Sequence, residues 1–365
     1  MIKSIDIQNF RCFNRLQVQG FKSINLIGGQ NNAGKTALLE ALLISCFPSP
    51  KSISLIRQFR NENGNNIKNA TNKVWNYFFF NQNKDIPIQF ISSFDNQAST
   101  HIELSCTKNR EDILSNIYDS PSNDNKRITD LISSRFADTF LLNIKETNDK
   151  NAFNYFLLPD KEDGDIGVVG KMPISFDLSP FLHTLFRLKE DKLAALYSQT
   201  KENKKLGALN ELLKILDPRI IGSEIDAPGG DPIIKLILQD EQSFPLAMFG
   251  DAVRKITEFI LILLNTEKGI FLIDEIENGI HFTKHKELWT KLFQIVGNNI
   301  QIFATSHSAE MISAFNKVAY QSEFEGKAMY IEMSRTQKTN QIVANTMDME
   351  ALNYEIFTNN SYRGE

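Results

Sequence analysis

Residues 24–40 read I-N-L-I-G-G-Q-N-N-A-G-K-T-A-L-L-E, and the reading of the whole chain starts there. Ile24, Leu26 and Ile27 make a short apolar strand, a loop bracketed by glycines follows, and a helix opens at Lys35. Inside lies the spacing G-x-x-x-x-G-K-[ST], on Gly29, Gly34, Lys35 and Thr36. Glycines there let backbone N–H groups wrap β- and γ-phosphates, and the helix start adds its positive dipole end. Lys35 is placed to reach phosphate oxygens, and the Thr36 hydroxyl suits a Mg²⁺ ligand. Gly29, Asn31, Asn32, Ala33, Gly34, Lys35, Thr36 and Ala37 are thus the candidate nucleotide-binding residues. The strand before and the apolar helix after are the flanks this chemistry requires, so the stretch is read as a nucleoside-triphosphate site.

The composition narrows what surrounds that site. A chain of 365 residues suffices for one large or two ordinary domains with a full core. A hydrophobic fraction of 42% and a charged fraction of 23% are those of a soluble globular protein. The net charge of −4 excludes overall electrostatic binding to nucleic acid, so any DNA contact comes from a local patch. Cys12, Cys46 and Cys106 lie far apart with no C-x-x-C pair, which argues against zinc or a disulfide framework and fits a reducing cytosol. The longest apolar run, residues 259–264, is too short to span a membrane, and the N-terminus alternates like a strand rather than a signal peptide. A cytoplasmic protein with no membrane partner is expected.

Along the chain, residues 2–10 and 16–18 alternate as strands on either side of Phe10-Arg11-Cys12-Phe13. Pro48-Ser49-Pro50 ends the helix after the phosphate loop, and residues 52–75 form a polar helix and loop whose basic residues read as a solvated face. Residues 86–94 and 99–105 look like paired strands, and residues 119–126 like an exposed connection. Partly helical spacing covers 128–142, and clear helical spacing covers 180–216. Residues 160–170 read as a loop by their glycines and acids, without the ligand spacing of a calcium loop. Strands are expected at 233–238, 269–275, 300–308, 329–332 and 341–343, with an apolar helix running to Leu264. Strands alternating with helices imply an α/β sheet with its chemistry at the strand C-terminal ends.

Two continuous apolar runs end in polar groups, as buried parallel strands do. G-I-F-L-I-D-E (269–275) delivers Asp274, positioned to hold Mg²⁺ together with Thr36, and Glu275, positioned as general base for the attacking water. I-Q-I-F-A-T-S-H-S (300–308) delivers His307 as a donor to the γ-phosphate. With Lys35, Glu275 and His307 are the candidate catalytic residues.

This set resembles the ABC-type ATPases of the chromosome-maintenance and repair group (SMC and RecF), and most closely the OLD-like AAA family ATPases of bacteria and phage defence. The likeness rests on I-x-x-F-R-C-F (7–13), the Walker A loop G-G-Q-N-N-A-G-K-T, F-L-I-D-E-I-E-N-G-I-H (271–281) as Walker B running into a D-loop at Asn278 and Gly279, and A-T-S-H-S (304–308) as the H-loop. It implies a P-loop NTPase of the ABC-ATPase type: a mixed sheet with flanking helices and an inserted, largely helical middle region. The division expected is an N-terminal lobe at 1–95, an inserted arm at 96–230 and a C-terminal lobe at 231–365. The resemblance also implies ATP and Mg²⁺ as cofactors, a phosphate contact from Arg11, and a head-to-tail homodimer sandwiching two ATP molecules. A signature loop, Phe249, Gly250 and Asp251, would then act in trans.

The chain departs from the family pattern at that loop. F-G-D-A (249–252) lacks the Ser-x-Gly arrangement, leaving backbone N–H groups and the helix start to serve the γ-phosphate. His281 stands where D-loops often carry Asp, and His281 and His285 share an i, i+4 spacing with no third metal ligand in view. No Asp-x-Asp strand of a Toprim nuclease follows the H-loop. The expected role is a sensor or regulatory ATPase controlling a separate nuclease or toxin, with a RecF-like DNA-binding ATPase or a nucleotide-clamped scaffold as alternatives.

Overall fold

The structure is a computed structural model that describes residues 1–60, 62, 67, 71–95, 97–109, 139–148, 152–160, 165–171, 188–227, 229–297 and 299–358. Strands β1 (Ile2–Phe10) and β2 (Phe13–Gln19) form an antiparallel hairpin, and β3 (Ile24–Gly29) leads through the phosphate loop into α1 (Lys35–Cys46). After α2 (Pro50–Phe59) come β4 (Ile88–Phe94), β5 (Ser99–Thr107), β6 (Leu141–Asn148), β7 (Ala152–Pro159) and β8 (Ile166–Lys171). With the first hairpin they make a seven-stranded antiparallel sheet ordered β2-β1-β4-β5-β6-β7-β8.

Helices α3 (Glu190–Glu202) and α4 (Leu206–Leu216) precede a small sheet of β9 (Ile220–Asp226), β10 (Ile233–Leu238) and β11 (Ser243–Pro245). Then follow α5 (Gly250–Asn265), β12 (Gly269–Ile273), α6 (His285–Ile295), β13 (Ile300–Thr305), α7 (Ala309–Ala319), β14 (Ala328–Arg335), β15 (Ile342–Met347) and α8 (Met349–Phe357). The central five-stranded sheet has the order β12-β13-β3-β14-β15, parallel except for β15.

Every residue of β3 and β13 is buried, which is why those strands read as unbroken apolar runs rather than alternations. Successive side chains of a strand point to opposite faces, so the central sheet separates two cores. Leu272, Phe303, Ile331 and Met333 face the core built on α1 and β1–β7. Phe271, Ile273, Ile302, Ala304 and Tyr330 face the core built on α3–α8. α1 touches β1, β3, β4 and β13, and it is buried nearly all round, as its continuous apolar sequence requires. The buried Gln301 joins the two sheets: it accepts from Ile2 N and donates to Ile2 O and Lys22 O, each at 2.9 Å.

Two expectations change. Residues 160–170 are not all loop, because Ile166–Lys171 pairs antiparallel with β7, Val169 opposite Phe156 and Val168 opposite Leu157. The β-branched Ile166, Val168 and Val169 outweigh their glycine neighbours. Among the described residues the middle region is helical over α3 and α4, and its strands β5–β8 extend the antiparallel sheet. The alternation in Ser99–Thr107 and Leu141–Asn148 decides that, Ile102 lying opposite Glu146 and Leu104 opposite Ile144. Residues 119–126 and most of 128–142 lie outside the described residues.

Candidate functional site

The phosphate loop bends where only glycine fits. A Cβ on Gly28 would stand 1.9 Å from the Tyr330 hydroxyl, and one on Gly29, at φ +134°, 2.1 Å from Met333 O. Gly34 caps α1 at φ +87° with no side-chain cap, so the first-turn N–H groups stay available to an anion. A Cβ on Gly34 would also meet the Phe13 ring at 2.8 Å and Cys12 Sγ at 3.1 Å, which explains why the F-R-C-F hairpin turn sits against the loop. Asn31 and Asn32 are exposed at the loop tip, Asn32 at φ +63°, while Ala33 and Ala37 are buried beneath. Lys35 Nζ donates to Gly29 O at 2.7 Å and Gln30 O at 2.8 Å. Burial pushes the Lys35 ammonium below its ordinary pKa, against the opposing pull of Asp274, Glu277 and Glu275.

The C-terminal ends of β12 and β13 are stitched together beside that loop. Their parallel register sets Ile273 against Ala304, bringing Asp274 level with Thr305. Thr36 Oγ1 donates to Asp274 Oδ2 at 2.9 Å, and Thr305 Oγ1 donates to Asp274 Oδ1 at 2.5 Å. Glu275 N donates to Thr305 Oγ1 at 2.8 Å and Ile276 N to Thr305 O at 3.0 Å. A hydroxyl and a carboxylate in contact beside a phosphate loop form a hard-oxygen set, and that set fits Mg²⁺. Among the described residues no cluster of three His, Cys, Asp or Glu gathers as a softer metal site. His281 and His285 do not pair as ligands, because residues 282–284 form a short 3-10 turn before α6 rather than a continuous α-helical turn. Instead His281 Nδ1 meets Thr283 Oγ1 at 2.9 Å, and the buried His285 Nε2 meets Ile280 O at 3.2 Å.

Glu275 is exposed and sits at φ +52°, a conformation that costs a non-glycine residue about 1–2 kcal/mol. Its Oε2 accepts from Asn278 Nδ2 at 2.6 Å, so the D-loop asparagine holds the candidate base. His307 is tied to Glu277: Nδ1 lies 2.9 Å and the backbone N 2.8 Å from the same oxygen, Oε1. Glu277 and Thr305 escape a sequence reading, since each acts across two strands whose register the sequence does not reveal. The acid two places after Glu275 was the available signal.

Arg11 is built into the fold. At φ +52° its N–H reaches Phe78 O, its Nε pairs with Glu40 Oε2 at 2.9 Å, and its Nη1 donates to Tyr77 O at 2.7 Å. The guanidinium lies 4.5 Å over the Phe78 ring, leaving only Nη2 without a partner among the described residues. Arg60 Nε takes the other oxygen of the buried Glu40 at 2.7 Å. Arg335, unforeseen in the sequence, reaches back from β14 to Asn32 O at 3.4 Å.

The signature-position loop lies apart in the sequence but touches the D-loop. Residues 246–249 form a 3-10 turn, Phe249 is half-buried, and Gly250 begins α5 at φ +83° with open space where a Cβ would go. Asp251 is exposed in the first turn of α5, and Met248 before it is 72% exposed. Gly279, at φ +79°, abuts Ala252, whose Cβ would be 1.9 Å from an added one.

A phosphate loop on β3, an acid pair after β12 and a histidine after β13, on adjoining parallel strands, define a P-loop ATPase of the ABC type. The chain belongs to the AAA domain family, whose model matches residues 4–243. A Helicobacter pylori protein named ATP/GTP phosphatase is 25% identical over 348 residues, covering 89% of this chain and 90% of that one. Among solved structures, the SMC head domain from Thermotoga maritima is similar at TM-score 0.42 and 9% identity, covering 95% of this chain and 99% of that one. The Smc head domain from Pyrococcus furiosus, bound to the C-terminal domain of ScpA, is similar at TM-score 0.49 and 9% identity, covering 98% of each chain.

Proposed function

We propose that this ATPase works with Mg²⁺, closes head to tail with a second copy around two ATP molecules, and through that closure controls a separate nuclease or toxin in anti-phage defence. The observation that supports the site assignment most directly is the Thr36–Asp274–Thr305 chain of hydrogen bonds, which joins the phosphate loop to both acid-bearing strand ends. Thr36 and Asp274 would hold Mg²⁺, which when bound would neutralise charge on the phosphate oxygens. Lys35 exchanges its loop carbonyls for phosphate oxygens, giving a half-buried ammonium charged acceptors. Glu275 leaves Asn278 to take the proton of the attacking water, and His307 donates to the γ-phosphate. In trans, the Gly250 N–H and the start of α5 serve in place of the missing signature serine. Support for a controlled effector is the resemblance to OLD-like ATPases.

A second reading, a DNA-binding repair ATPase, is favoured by a groove of about 710 Å³ between α4 and α6, lined by Lys214, Lys284, Lys286 and Lys291. Glu287 and Glu211 pair with Lys284 and Lys291, leaving a local excess of positive charge on a chain of net charge −4. ATP-dependent DNA binding that weakens steeply with salt and needs no partner would establish it.

The deciding experiment measures ATP turnover and oligomeric state for the wild type and Glu275→Gln. The variant is expected to bind ATP, to lose turnover on the order of 10²-fold or more, and to accumulate as an ATP-locked dimer. If it hydrolyses like wild type and keeps its size with ATP, both the base assignment and the dimer mechanism fail.

A further inference from the structure

We infer that Glu277 is a positioning residue for His307, holding its ring so that only Nε2 faces the γ-phosphate. The inference rests on the proposed reading in which His307 meets that phosphate. Glu277 Oε1 accepts from both His307 N, at 2.8 Å, and His307 Nδ1, at 2.9 Å. One oxygen therefore fixes the backbone and the ring of the same residue, which removes ring rotation and spends Nδ1. Half of the His307 side chain is exposed, and among the described residues the Glu277 clamp is the ion pair that sets its direction. With Nδ1 spent on the carboxylate, Nε2 is the ring nitrogen left to face the phosphate.

A purely structural tie between strand ends accounts for Glu277 poorly. Thr305 already joins β13 to Asp274, Glu275 and Ile276 with hydrogen bonds. Glu277 adds a carboxylate that is 9% exposed, and its second oxygen, Oε2, is buried with no hydrogen-bond partner among the described residues. An unmet buried acceptor is costly, and a strand clamp alone would be better served by a neutral side chain. The placement is explained when the charge matters to the histidine it holds. Glu277 also adds to the field at Lys35, placing its carboxylate within electrostatic reach of the phosphate site.

The test uses the full chain with Glu277→Gln, Glu277→Ala, His307→Ala and the Glu277→Ala/His307→Ala double variant. Nitrogen-15 spectra of histidine-labelled protein, with His307→Ala assigning one of the five histidines, should show a hydrogen-bonded Nδ1–H on His307 that Glu277→Ala abolishes. Unchanged His307 signals overturn the inference, and this arm needs no turnover, so it stands apart from failure of the ATPase mechanism. In kinetics, Glu277→Ala should lower kcat about tenfold or more with KM within about twofold, and should cost nothing further in the His307→Ala background. Equal losses in both backgrounds overturn the inference. Glu277→Gln, which keeps an acceptor for both N–H groups but not the charge, should recover at most part of the loss; full recovery counts against it.

Discussion

The strand edge that carries Asp274 and the loop that carries Gly250 are built in opposite ways. At the edge, Thr36, Thr305, Asp274, Glu275 and Ile276 exchange hydrogen bonds of 2.5 to 3.0 Å, and Gly28 and Gly29 leave no room for a methyl group. At the loop, Met248, Gly250 and Asp251 are exposed, and a Cβ on Gly250 meets nothing within 4 Å. Fixed donors and acceptors serve chemistry because they need no reorganisation when charge develops. The chain thus prearranges the phosphate side within itself, and the open loop is the side left for a second copy in the proposed closure.

The edge is where substitution should cost most. Thr305→Val removes the hydroxyl that donates to Asp274 and accepts from Glu275 N, in a position fully buried. Turnover is expected to fall about 10- to 100-fold, the usual loss when a partner that orients a metal-binding carboxylate is removed, and Thr305→Ser should restore most of it. Steady-state ATPase assays on the three proteins decide this. A Thr305→Val enzyme with wild-type turnover would show that the stitched edge does not set the site.

A matched pair of substitutions sharpens the contrast. Gly28→Ala places a methyl group 1.9 Å from the Tyr330 hydroxyl, so the unfolding free energy should drop by about 1–3 kcal/mol, as overpacking does. Gly250→Ala enters open space and is charged only for its φ of +83°, about 1 kcal/mol. Chemical denaturation curves measure both. In the proposed mechanism Gly250→Ala alone among the two should weaken ATP-dependent dimer formation while leaving monomer nucleotide affinity intact.

What the sequence made legible follows the range of each signal. The phosphate loop, the D-E pair and the strand-end histidine lie in short local spacings, so their placement on β3, β12 and β13 could be read without the fold. The strand Ile166–Lys171 was hidden because acids and glycines dominate the segment, while its partner strand, not its own composition, fixes it. Glu277 and Thr305 depend on the Ile273–Ala304 register between strands thirty residues apart. Glu40 carries no local signal that sets it apart in an apolar helix. Only the tertiary fold shows it buried between Arg11 and Arg60, an arrangement in which a charge is held by two partners rather than exposed.

The smallest effect expected concerns the seam between those two regions. His285 is buried at the start of α6, with Nε2 donating to Ile280 O just beyond the D-loop, and burial lowers its pKa from 6.5. In the unfolded chain the imidazole takes up a proton first, near its ordinary value, while the folded protein still holds it neutral. The neutral histidine therefore contributes stability that is fully present above about pH 6.5 and is lost as pH falls through the folded-state value. Thermal melts between pH 8 and pH 5 should show the wild type losing more stability on acidification than His285→Leu. The change should not alter the Thr36–Asp274 contact, in which His285 takes no part. If the two melting profiles run parallel across that range, His285 is not the titrating group of the seam.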